Sequence, residues 1–259
     1  MRLSRLVAFL GQYDMVNKEL TSLMQEAAAR NYPEEACGLV ILKGKKTIAI
    51  ECKNIAEKPN EHFMIDAQEY GDAADQGEII GVWHTHPETS PKPSPADLAA
   101  CENSELPWFI LAVHKAEGEF TFSEVTVTEP TGFEMGYLER PYVFGVFDCY
   151  TLVRDYYKRE FSIHLNEYPR VESFWAKGKN FFADNFAKEG FVRVEGSDYQ
   201  VGDLLIMQSG AVLPNHIAIY IGDDKILHHC HGRLSRRDVY GGYWYKNTTH
   251  HIRRNLNAN

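Results

Sequence analysis

The chain has 259 residues, of which 44% are hydrophobic, 24% charged and 12% aromatic, and its net charge is −9. That composition excludes wholesale disorder and supplies core for one large domain or two of ordinary size. The charge is uneven, with 11 Lys/Arg against 22 Asp/Glu in residues 1–135 and 16 against 14 in residues 136–259, so two different units are expected and neither has the basic footprint of a nucleic-acid binder.

The first fourteen residues have a basic start and a short apolar run. They lack the longer apolar region and cleavage site of a signal peptide, and are read as an arm. Residues 15–31 place Leu20, Leu23, Met24, Ala27 and Ala28 at helical spacing, and Pro33 ends the helix. CGLVIL and KTIAIECKN read as strands, as does GEIIGVWHTH. A helix then begins at SPADLAACEN, with Ser94 as N-cap and Pro95 in its first turn. PWFILAVH and GEFTFSEVTVTEP read as further strands. The Pro- and Gly-containing run EPTGFEMGYLERP holds the expected linker, placed at 129–136. DCYTLVRDYYKREF reads as a helix, a polar and aromatic region follows, and VGDLLIM and NHIAIYIGDDKILHHC read as strands, the latter as a hairpin. The expected units are 15–128 and 137–250, with a tail at 251–259. No run of 18 apolar residues is present, so no membrane span is expected. Five cysteines without a CxxC pair argue against a disulfide framework or a cysteine-zinc site, and make a reducing compartment the default.

Two stretches carry chemistry. In HTHPETSPKPSPAD, His84 and His86 are two apart on a strand and face the same side. Asp97, in the first turn of the next helix, can return to them. Two imidazoles, a carboxylate and an open position describe a catalytic zinc site, although iron or manganese suits the same donors. Glu35 is the candidate general base and Ser94 a candidate oxyanion donor. The second stretch places Cys149 at a helix N-terminus, where a thiolate is stabilised. His216, opening the strand HIAIYIG, is its candidate base. His228, His229 and His231 compete to orient it. A two-residue loop at Asp223-Asp224 would put His229 and His231 on the face of His216, and a three-residue loop from Gly222 would put His228 there.

The run E-x-C-G, then H-T-H-P, then S-x-x-D with ten residues between His86 and Asp97 resembles the JAMM (Jab/MPN) metallopeptidases over residues 15–128. The resemblance implies a mixed sheet flanked by helices, one zinc on His84, His86 and Asp97, Glu35 and Ser94 as catalytic groups, and hydrolysis of peptide or isopeptide bonds. PYVFG-x-x-DC, GDLLIM and HIAIYIGDDKILH resemble the NlpC family of cell-wall cysteine peptidases over residues 137–247. That resemblance implies a papain-like α+β domain cleaving peptidoglycan stem peptides. It selects His228, twelve residues after His216, as the third catalytic group, and places Tyr142 beside the substrate groove. The family's D-C-S-G is replaced here by Asp148-Cys149-Tyr150-Thr151, which puts substrate preference in doubt.

The two modules in this order resemble tail assembly proteins of lambda-like phages. The implied setting is assembly with other tail-tip proteins in the host cytoplasm, then a place at the virion tail tip and action on the periplasmic cell wall. The alternatives are a structural tail component with inactive or blocked sites, and a bacterial wall-remodelling endopeptidase.

Overall fold

A computed structural model of the chain describes residues 16–254; the expected arm at 1–14 lies outside them. The chain divides into two compact units between Glu134 and Met135.

In the first unit, helix α1 (Lys18–Asn31) starts where the Asn17 side chain accepts the Leu20 N–H at 2.9 Å. Its buried stripe is Leu20, Met24, Ala27 and Ala28. Strands β1 (Cys37–Lys43) and β2 (Lys46–Cys52) pair antiparallel, as do β1 and β3 (Glu78–Pro87). Between β2 and β3 lies helix α2 (Ala67–Gln76). β3 runs parallel to β4 (Trp108–Ala116), a pairing that requires a crossover, here helix α3 (Pro95–Ser104). β5 (Glu119–Phe122) and β6 (Thr126–Thr128) both pair antiparallel with β4. The sheet order is β2-β1-β3-β4-β5, with β6 also on β4. This is the expected mixed sheet flanked by helices.

Strand parity sets which residues meet which helix. Val40, Trp83, Phe109 and Leu111 pack with the α1 stripe on one face. Leu39, Ile41 and Val82 pack with Ala73 of α2 and Cys101 of α3 on the other. A register shift between Val40 and Ile41 leaves Ile80 as an extra residue, which joins the α1 side. His84 and His86 follow Val82 in parity, so they point to the face that carries α3. Gly38, beside Cys37, has a specific reason. A Cβ there would lie 2.0 Å from the Ile50 carbonyl oxygen and 2.6 Å from the Trp83 ring. The Trp83 indole crosses β1 at this point and donates to that same carbonyl at 3.1 Å.

In the second unit, helix α4 (Cys149–Phe161) is capped by Asp148, whose Oδ1 accepts the Tyr150 and Thr151 N–H groups. The Thr151 hydroxyl returns the favour by accepting the Asp148 N–H at 2.8 Å. Tyr150, Leu152, Val153, Tyr156 and Tyr157 are its buried apolar and aromatic residues. Helix α5 (Phe181–Asn185) and strand β7 (Phe191–Arg193) follow. Then come β8 (Leu204–Met207), β9 (His216–Tyr220), β10 (Lys225–His228), β11 (Arg236–Val239), helix α6 (Gly242–Asn247) and β12 (Thr248–Arg254). β12 runs past residue 250, where a tail was expected, because residues 251–254 pair with β8 and β7. All pairings here are antiparallel, in the order β11-β10-β9-β8-β12-β7. The α4 stripe packs on Leu204, Ile206, Ile217, Ile219 and Ile252. The unit is α+β, as expected. Among the described residues no helix is long and apolar enough to cross a membrane.

Two candidate active sites

The first site stands on β3 and α3. His84 Nε2 and His86 Nε2 lie 2.9 Å apart. Asp97 Oδ1 is 3.4 Å from His84 Nε2, and Asp97 Oδ2 is 3.3 Å from His86 Nε2. The helix start holds the carboxylate in place. Asp97 Oδ2 accepts the Ser94 N–H at 2.7 Å, and Ser94 Oγ accepts the Asp97 N–H at 3.1 Å. Ser94 is thus the N-cap, with its own hydroxyl proton left to donate. Burial opposes ionisation of Asp97, but the charge and hydrogen bonds of His84, together with His86 and Ser94, outweigh it and keep the acid well below its usual range. Burial lowers His84, favouring its neutral form.

These donors fit a divalent metal. Tetrahedral zinc at roughly 2.0–2.1 Å from each imidazole sets its nitrogens about 3.3 Å apart, close to the spacing here. His86 Nδ1 lies 2.8 Å from the Ser90 carbonyl. A carbonyl can only accept, so Nδ1 carries the proton and the Nε2 lone pair is left for an ion. The three side chains form one of the clusters able to hold a metal.

Glu35 precedes β1. Cys37 is opposite His84 in the antiparallel register, and the Ala36 N–H reaches Thr85 Oγ1 at 2.9 Å, which sets Glu35 beside His86. Burial, aided by Asp97 and opposed by His86, raises its pKa to about 8. The sequence reading missed Asn54, whose amide donates to the Glu35, Pro59 and His62 carbonyls and so pins the base's loop. Phe63, also missed, stacks on His84 with centroids 4.8 Å apart. Neither residue belongs to a patterned motif.

The second site gathers Cys149, His216 and Tyr142 in the wall of one cavity of about 570 Å³, together with His229 and His231. The Ile217 N–H, adjacent to His216, donates to the Cys149 sulfur. The β9–β10 turn decides between the competing histidines. Ile221 N–H bonds the Lys225 carbonyl, and His228 pairs with Ala218. The loop is therefore the three residues Gly222 to Asp224. His228 falls on the face of His216, and the two nitrogens His216 Nε2 and His228 Nδ1 lie 3.0 Å apart. His229 Nε2 instead meets the Arg233 carbonyl at 3.0 Å.

Tyr142 sits edge-on to His229 and His231, with centroids 5.3 and 4.8 Å away. The sequence reading missed Asp238 on β11, whose Oδ2 is 3.1 Å from His228 Nε2. It also missed Trp244, edge-on to His228 at 4.6 Å. Protons assign themselves along this chain. Asp238 accepts from His228 Nε2–H, His228 Nδ1 then accepts from His216 Nε2–H, and His216 Nδ1 carries a lone pair. The expected low thiol pKa is not found. Burial, with the Asp148 carboxylate next door, pushes Cys149 up to about 12. The helix terminus contributes only about half a positive charge, too little to offset both. Burial also takes His216 down to about 3. The pair at rest is a neutral thiol and a neutral imidazole.

A mixed sheet whose two histidines meet an aspartate from α3, and an antiparallel sheet whose histidine relay shares a site with Cys149 at the start of α4, define a two-unit protein of hydrolase-like halves. Residues 17–125 match the prokaryotic homologs of the JAB domain, and residues 139–253 match the NlpC/P60 family. The chain is 37% identical over 242 residues to tail tip assembly protein K of Escherichia phage N15, covering 92% of this chain and 95% of the relative. It is 36% identical over 176 residues to the protein of the same name from Escherichia phage lambda, covering 67% of this chain and 80% of the relative. The chain belongs to the tail tip assembly protein K family. Its first half is also similar to a desampylase of Haloferax volcanii, 28% identical over 120 residues, covering 42% of this chain and 83% of that protein.

Proposed function

We propose that this chain is a phage tail-tip assembly component carrying two hydrolases, a peptidoglycan peptidase in residues 137–250 and a zinc-dependent peptidase or isopeptidase in residues 15–128, joined by a linker at 129–136. The observation that carries the reading is the relay Asp238–His228–His216 ending in the cavity wall that also holds Cys149. Cys149 Sγ attacks the carbonyl of a stem-peptide bond, and its proton passes to His216 Nδ1. His216 returns that proton to the leaving amine. Water, deprotonated by His216, then hydrolyses the thioester and frees the thiol. His228 orients His216 and Asp238 orients His228, which keeps the accepting lone pair on Nδ1. Tyr142 shapes the groove.

In the first unit, His84 Nε2, His86 Nε2 and the Asp97 carboxylate would hold zinc. Zinc supplies Lewis acidity and an acidified water when bound. Glu35, whose pKa burial raises to about 8, takes a proton from water and delivers it to a leaving amine. The Ser94 hydroxyl donates to the developing oxyanion. Similarity of this half to a protein named desampylase supports hydrolytic chemistry here. Membership of the tail tip assembly protein K family supports a role among other tail-tip proteins, and assembly in the host cytoplasm followed by carriage to the cell wall is part of this reading.

The test is a peptidoglycan digest read by mass spectrometry with wild type, Cys149→Ala and Glu35→Ala. Stem-peptide fragments that vanish only in Cys149→Ala support the reading. No fragments from folded wild type would overturn it in favour of a structural tail component.

A further inference from the structure

The histidine relay has a neighbour that the cleavage scheme leaves unused. Cys230 Sγ lies 3.6 Å from His228 Nδ1, on the side of the ring that faces His216. His216, His228 and Cys230 each offer one donor atom, and the three atoms lie within 4.8 Å of one another. For tetrahedral zinc with Zn–N near 2.0–2.1 Å and Zn–S near 2.3 Å, a nitrogen and a sulfur ligand stand about 3.6 Å apart and two nitrogens about 3.3 Å. Two of the three distances here are 3.6 Å and 3.0 Å, and the third, between His216 and Cys230, is at most 4.8 Å. The outer nitrogen of His228 is already held by Asp238 at 3.1 Å. A carboxylate behind a ligating imidazole fixes its tautomer with the inner lone pair facing the ion. Asp238 is itself fixed by Arg236 at 2.7 Å.

We propose that His216, His228 and Cys230 form a second divalent-metal site, suited to zinc, that closes the cysteine peptidase by driving a proton onto the nitrogen its base needs free. The closing clause rests on the reading of His216 as base; the metal site does not. The proton balance shows why metal and catalysis exclude one another. Without metal, His216 carries its proton on Nε2 and accepts at Nδ1. Metal on Nε2 moves that proton to Nδ1, leaving no acceptor for the Cys149 proton. His228 keeps its Nε2 proton on Asp238. Cys230 releases one proton to solvent as its sulfur binds. A peptidase made alongside its tail partners would thus stay shut while metal is bound and open when it is lost.

Cobalt(II) distinguishes this site from the first, because a thiolate ligand gives a sulfur-to-cobalt charge-transfer absorption and His84, His86 and Asp97 include no sulfur. Full-length protein, stripped with chelator, is titrated with cobalt. Two equivalents bound, one with the thiolate band, are expected for wild type. The band should disappear in Cys230→Ser and in Cys230→Ala, with circular dichroism unchanged, and persist in His84→Ala. One equivalent without a band, or a band that survives in both Cys230 variants and is lost in Cys149→Ala, overturns the proposal. Site-resolved iodoacetamide labelling tests the closing. Zinc should slow Cys149 alkylation about tenfold or more in wild type, since the thiol loses its base, and less than about twofold in Cys230→Ser. A wild-type band with unchanged Cys149 alkylation would overturn the closing clause, whereas metal-free Cys149 alkylation that His216→Ala leaves unchanged would overturn the assignment of His216 as base.

Discussion

In the first unit two imidazole nitrogens face one another across 2.9 Å, and in the second across 3.0 Å. The pairs look alike, yet their surroundings send them to different chemistry. The first pair has Asp97 in front of it, locked there by a helix cap, with a buried Glu35 alongside. The second has its carboxylate, Asp238, behind it, so the charge steers a proton instead of facing the pair. A carboxylate on the open side of two histidines adds a third donor atom to the pair. On the far side it fixes which nitrogen of the nearer ring carries the proton.

The sharpest way to break this contrast is to remove one histidine pair and watch both activities. His216→Ala should lower release of stem-peptide fragments by about 10³-fold, the scale of a lost general base. Asp97→Ala should leave that release unchanged while abolishing metal uptake by the first unit, measured as bound metal per chain. Equal losses in both assays would mean the sites do not work separately. A smaller effect, on folding, concerns the first unit alone. Gly38→Ala drives a Cβ to 2.0 Å from the Ile50 carbonyl, an overpacking that should cost about 3 kcal/mol or more. Denaturant unfolding should show one transition shifted and the other in place.

Ser94→Ala should cost about 1 kcal/mol through the lost cap and weaken metal binding roughly tenfold, as loss of a ligand-orienting partner does. Chelator competition reads the second number. The mildest expectation concerns pH. In metal-stripped protein, Cys149 alkylation should keep rising with pH beyond 9.0, the ordinary thiol value, because burial holds the folded thiol up to about 12. A folded pKa above the unfolded one stabilises the fold fully below 9.0 and loses that contribution as pH climbs towards 12. Alkaline melting should accordingly be a little steeper for wild type than for Cys149→Ala. Levelling of alkylation near pH 7 would instead reveal a thiolate.

Much of this was legible because it is local. The S-x-x-D cap and the two-residue spacing of His84 and His86 place three donors with strand parity and one helix turn, and the structure brings those donors together. The apolar stripes of α1 and α4 are periodic and were readable for the same reason. α2 escaped notice because Ala73 is its one buried residue, so it has no stripe to read. The histidine beside His216 depended on one residue of loop length, which only the β9–β10 register supplies. Asp238 sits on β11, whose sequence RRDV carries no alternation of apolar residues. Cys230 escapes a reading of the sequence because, although His228 is two residues away, His216 is brought to the cluster only by the β9–β10 pairing and no CxxC pattern is formed.

The crossing of Trp83 over Gly38 has an evolutionary consequence. The indole occupies the space a side chain at 38 would need, and it donates to the carbonyl such a side chain would strike. A change at 38 is therefore harmful while the indole remains, and shrinking the indole alone leaves a void beside the glycine. The route to any other pair passes through a worse intermediate. Across descendants of this chain the two positions should be inherited as a couple, with neither drifting singly.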